Sequence, residues 1–169
     1  MVSAILGRPD VPSDNKRREL WRAVHADRGP ALLSDCGSDF VAAVARLATS
    51  SRDPASANVA FEQAAAKSVT MSLFHDVARR ALVRASMAGG GAAEFAAQFF
   101  GEATSYYVAR DISGMIGSPA NVGTAGDAVR LRKDVAAAVQ AVVRRLGKPS
   151  TSAAGWSRYV AKVVDALSQ

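Results

Sequence analysis

The stretch GGGAAEFAAQFFGEATSYYVARDISGMIGSP, residues 89–119, decides the fold. Three glycines open it and Gly117-Ser118-Pro119 closes it, and these residue types punctuate helices. Between them, Phe95, Phe99, Phe100, Tyr106, Tyr107, Ile112 and Met115 are spread around the helical circle, with alanine in the gaps. A helix that is apolar on nearly every side is a buried one. Ala92–Ile116 is therefore expected to be a central helix, with Phe99 among the most buried residues.

Working back from the glycines, no Gly or Pro interrupts the chain until Asp53-Pro54. Asp before Pro is a strong helix start: a capping side chain, then a residue whose missing N–H is no loss in the first turn. One helix of about thirty residues is expected between these signals, with a bend allowed near Lys67–Thr70, where Ser68, Val69 and Thr70 lower the propensity. Upstream, Ser38 caps a helix reaching about Thr49, with Phe40, Val41, Val44 and Leu47 inward. A short helical turn, Ala31–Asp35, precedes it. Ser13 opens a helix to about Asp27, and residues 1–12, broken by Gly7, Pro9 and Pro12, form an arm.

Working forward, Thr124 and Asp127 have the spacing of a capping box. The helix they open carries Leu131, Val135, Val142 and Leu146 inward and ends at Gly147-Lys148-Pro149. A last helix, about Ser152–Leu167, puts Trp156, Val160, Val163 and Leu167 on one stripe. No period-two alternation marks a strand. The fold class is all-α: a single-domain helical bundle of five to seven helices. It comprises the arm 1–12, core helices over 13–117 and a basic helical hairpin over 124–169.

Composition narrows the function more by exclusion than by assignment. Alanine supplies 35 of the 169 residues, whereas the chain holds two histidines and one cysteine. It is rich in helix former and poor in the groups that bind metals, attack carbonyls or shuttle protons. No H-x-x-x-H, C-x-x-C or Glu-x-x-His spacing is present, so neither a metal nor a cofactor is expected. Cys36 is single, which leaves no intramolecular disulfide. No secretory leader and no apolar run of membrane-spanning length is legible, so a cytoplasmic protein is expected. Sixteen arginines against five lysines fit a GC-rich, bacterial genome. The Gly89–Gly91 run lacks the strand before it and the Lys-Ser/Thr after it that a phosphate loop needs, and is read as a helix–helix turn.

The net charge of +6 is uneven. Residues 124–169 carry +5, residues 31–123 carry −1 and residues 1–30 carry +2. Basic ends on a neutral middle suggest an anionic partner. On the Thr124–Leu146 helix, Arg130, Lys133, Ala137, Gln140, Ala141 and Arg144 line one side, with Lys148 just beyond. Arg79, Arg80 and Arg84 form a second cluster, and Lys16, Arg17, Arg18 and Arg22 a third. Small residues between charges let such a stripe approach a phosphate backbone; a solvated helix face is the plain alternative.

A second candidate site is polar. Glu102, Tyr106 and Arg110 are successive i+4 neighbours on the most apolar helix, with Tyr107 and Asp111 beside them and His75 a possible further member. Burying such groups requires partners, so Arg110 is expected to pair with a carboxylate, Glu102 or Asp111 being nearest in sequence. Asp76 is expected to pair with Arg80 four residues on. The polar set reads more readily as structural pairing than as a ligand pocket.

The leading functional expectation is a non-enzymatic helical interaction subunit that packs into a larger assembly or self-associates. The alternative is a basic subunit on the phosphate backbone of RNA or DNA. A weaker one is an enzyme or small-molecule sensor centred on Glu102–Asp111.

Overall fold

The computed structural model describes residues 33–51, 53–66, 74–112 and 124–169, with backbone alone at Asp111 and Ile112. The arm 1–12, the Ser13–Asp27 helix with its basic cluster, the possible bend at Lys67–Thr70 and the end of the central helix at Ile116 lie outside these residues.

Among the described residues the chain is a helical bundle. Residues 33–36 are helical. Six longer helices follow: α1 Asp39–Ser50, α2 Pro54–Ala65, α3 Phe74–Met87, α4 Ala92–Ile112, α5 Ala125–Arg145 and α6 Ala153–Ser168. Four begin at the polar residue expected from sequence. The side chains of Ser38, Asp53, Thr124 and Ser152 each accept a hydrogen bond from the backbone N–H three residues on. At Thr124 the Asp127 carboxylate returns the bond to the cap N–H, completing the capping box. These bonds occupy N–H groups that the helix itself leaves free.

The long helix expected over residues 54–88 is two helices. The first leaves helical form at Ala66, and α2 packs on α3. α2 buries Ala57 and Phe61, and lying against α3, where Phe61 meets the His75 ring at 6.4 Å, takes this apolar pair out of water. Between α3 and α4, Gly89, Gly90 and Gly91 all have positive φ (95°, 79° and 101°), a region costly for residues with a Cβ. This lets Gly91 N–H donate to the Ala48 carbonyl at 2.8 Å, tying the turn to the end of α1.

α4 is the centre, packed most extensively on α5 and then on α3. Phe95, Phe99, Phe100 and Val108 are fully buried. Trp156 of α6 meets the rings of Phe95, Phe99 and Phe100 at 5.9–6.2 Å, and its indole N–H donates to the Cys36 carbonyl. The alanines are spent in this same core: Ala42, Ala45, Ala48, Ala78, Ala81, Ala85, Ala96, Ala97 and Ala103 are all buried. The inward row of α5 is Ala128, Val135, Val139 and Val143. Leu131 and Val142 are only half-buried and Leu146 is 37% exposed, so the helix is rotated from the Leu131–Val135–Val142–Leu146 stripe. The row in α6 is as expected, with Trp156, Val160, Val163 and Leu167 buried. No helix among the described residues is long and apolar enough to cross a membrane.

Candidate anion-binding groove

Because α4 packs against both α3 and α5, its outward side floors a trough between them. Arg80 and Arg84 of α3 form one wall, Arg132, Lys133, Ala136, Ala137 and Gln140 of α5 the other. Glu102, Ser105, Tyr106 and Ala109 of α4 form the floor. These positions recur at helical spacings of three and four, which brings them to one face of each helix. The groove encloses about 380 Å³. Four cations meet one carboxylate there.

That carboxylate is already engaged. Glu102 accepts from the Arg84 guanidinium, with the Glu102 side chain 15% exposed and that of Arg84 54%. Arg80, Arg132 and Lys133 are exposed and have no acidic partner among the described residues. Three uncompensated cations over low-dielectric walls focus a positive potential into the trough. Tyr106, 40% exposed, lies on the floor, edge-to-face with Tyr107 at 5.8 Å. On the far side of α3, Asn58, Arg79, Arg80, Val83, Arg84 and Met87 line a second depression of about 310 Å³. Arg80 and Arg84 are common to both.

The two basic sets expected from sequence are therefore brought together only in part. Lys133 faces Arg80 and Arg84 across the groove, while Arg130 and Lys148 are exposed outside its lining. Arg144 is occupied: its Nε and Nη2 donate to the Glu94 carboxylate at 3.1 and 2.8 Å. That paired hydrogen bond holds the Glu94 carboxyl below its usual range, against the opposing effect of burial and with help from Gln98. It also raises the Arg144 guanidinium. Gln140 donates to Gln98 at 3.3 Å and lies against Gly101, where a Cβ would come within 2.8 Å of its side chain. Gln140 and Arg144 of the expected stripe thus belong to the α4–α5 contact. Asp76 meets Arg79 at 3.7 Å, three residues on and not four.

The polar set divides. Glu102 and Tyr106 join the groove. Glu102 takes Arg84, from another helix, in place of Arg110. Arg110 is exposed and sits over the buried Tyr107 ring, 5.8 Å from its centroid. The Asp111 side chain lies outside the described atoms. His75 is on a different side, stacked on Phe40 at 4.0 Å and edge-to-face with Phe61 at 6.4 Å. Its Nε2 is buried without a hydrogen-bond partner among the described residues. Burial pushes the Cys36 thiol well up, with Asp35 adding to the effect, which disfavours the reactive thiolate. Among the described residues no group of His, Cys, Asp and Glu is arranged to hold a metal ion.

Arg132 is the charged groove residue that the sequence reading passes over. It stands four after Ala128 and three before Val135, in the row that is otherwise buried and apolar. A charge in an inward row is the available signal: the packing opens there, and the opening is the groove. Scans of protein-family models, of curated proteins and of solved structures give no match to this chain.

Proposed function

We propose that this chain is a non-enzymatic helical interaction module that holds an anionic partner in the groove over α4. One observation carries the reading: Arg80, Arg132 and Lys133, from two helices, converge on one trough with no acidic partner among the described residues. Like charges held together are unfavourable without a ligand to offset them, and solvent-exposed cations not tied to acids are free to bind one. A cytoplasmic setting suits the single thiol. A protein-docking reading draws on the second depression, where Met87 is 72% exposed beside Val83 within a rim of arginines.

The test is anisotropy titration of fluorescein-labelled heparin, a sequence-free polyanion, against two triple variants of equal net charge. Arg80→Gln/Arg132→Gln/Lys133→Gln removes the groove cations. Arg145→Gln/Arg158→Gln/Lys162→Gln removes exposed cations outside the groove lining. Binding at least tenfold weaker for the first, with a much smaller loss for the second, is expected. Equal losses would show a diffuse charge effect and reject the groove.

A further inference from the structure

We infer that the occupant of the groove is single-stranded nucleic acid, its phosphates on Arg80 and the Arg132–Lys133 wall and a base against Tyr106. This rests on the anion-binding reading and specifies its partner. Three features go beyond charge. First, Tyr106 lies on the floor, between the cationic walls, and the residue is 40% exposed. An aromatic face next to phosphate-binding cations is the arrangement on which single strands stack, whatever their sequence. Second, about 380 Å³ lies near the lower end of small-ligand pockets, about 300–1,000 Å³. A nucleotide unit suits such a space, and a base-paired duplex would have to ride on the rim. Third, the ridge of Arg80 and Arg84 is shared with the second depression, which offers Val83 and Met87 as an apolar surface. A strand crossing the ridge would alternate base, phosphate, base: aromatic floor, Arg80, apolar floor.

Glu102 sharpens the choice. A carboxylate on the floor of a cationic groove adds nothing for a bare polyanion or an acidic polypeptide. For a nucleoside its Oε2, which the Arg84 pair on Oε1 does not engage, is an acceptor for ribose hydroxyl and base N–H donors.

The experiment uses the full chain and four probes: a short fluorescein-labelled oligouridylate, the same oligomer without bases, polyglutamate and uridine triphosphate. Oligouridylate is expected to bind more tightly than the base-free strand or polyglutamate. Tyr106→Leu should weaken oligouridylate about tenfold, the scale of one lost stacking contact, and leave the base-free strand unchanged. Tyr106→Phe should bind as the parent, and circular dichroism melts of both variants should match it. Arg80→Gln/Lys133→Gln should weaken both strands. Uridine triphosphate, which fills one depression only, should compete poorly per nucleotide. Oligouridylate binding untouched by Tyr106→Leu but lowered by Arg80→Gln/Lys133→Gln would overturn the nucleotide inference and leave the anion groove standing. Polyglutamate binding as tightly as the oligomer would replace it with an acidic protein partner, and full competition by uridine triphosphate with a free-nucleotide site. Indifference of every probe to Arg80→Gln/Lys133→Gln would remove the groove reading itself.

Discussion

Phe99 and Tyr159 show two ways a single residue holds this bundle. Phe99 is fully buried and touches the rings of Phe74, Phe95, Phe100 and Trp156. Truncating it leaves a cavity that rigid helices cannot close, so Phe99→Ala should lower the unfolding free energy by about 3–5 kcal/mol in a urea titration. Tyr159 acts through its hydroxyl, which donates towards the carbonyls of Gly147 at 3.0 Å and Val143 at 3.3 Å, fastening α6 to the end of α5. Burial pushes its phenol from 10.0 up to about 12. A pKa raised by folding means that the folded state keeps a proton the unfolded chain gives up. This contribution is complete below pH 10 and is lost as pH rises towards about 12. Tyr159→Phe should destabilise the protein by about 1 kcal/mol at neutral pH, and its stability should fall less steeply than the parent's across that alkaline interval. Parallel alkaline limbs for the two proteins would show that Tyr159 is not the group responsible. Phe99 was legible in the sequence because its helix is apolar all round. Arg132 was not, because a cation in an apolar row reads as an exception until the packing around it is visible.

At the scale of elements, helix starts were the most legible feature. Ser38, Asp53, Thr124 and Ser152 act locally, each on an N–H three residues away, so no tertiary knowledge is needed to read them. The division of residues 54–87 into α2 and α3 was legible only in part: the low propensity of Ser68, Val69 and Thr70 allowed a bend, but no glycine or proline marks a break. The basic stripe on α5 divides between the groove and the α4 contact, which the sequence did not show. Its period was read correctly from the sequence, but which helix it would meet was not in the period. Arg144 and Gln140 turned out to clasp α4 through Glu94 and Gln98. The clasp has a pH signature. The hydrogen bond from Arg144 depresses the Glu94 carboxyl below 4.5 in the folded state, so its stabilisation is full above that value and disappears as pH falls through the depressed pKa. The pair is partly exposed, and Glu94→Gln should cost under about 1 kcal/mol at pH 7. Melts from neutral to acid pH should show the difference from the parent narrowing below pH 4.5. A constant difference would mean that packing, not charge, holds the clasp.

At the scale of the whole molecule, buried alanines such as Ala45, Ala81 and Ala96 let the helices approach closely, and the candidate site on the surface rests on charge. The unevenness of that charge was legible from counting. Its convergence was not, since Arg80 and Lys133 are separated by 53 residues and meet only because α4 packs on both their helices. The groove is thus a product of topology: cations on the faces of α3 and α5 meet over α4, in a trough that none of the three helices encodes alone. The central claim is that this trough binds anions through ion release, and the salt dependence of binding tests it most directly. Association of oligouridylate should be measured at several salt concentrations for the parent and for Arg80→Gln/Arg132→Gln/Lys133→Gln. The plot of log K against log salt should be steep for the parent, approaching about −0.7 for each phosphate contact, and about two units shallower for the variant. A slope identical in the two proteins would contradict the account and leave the groove cations as a solvated face.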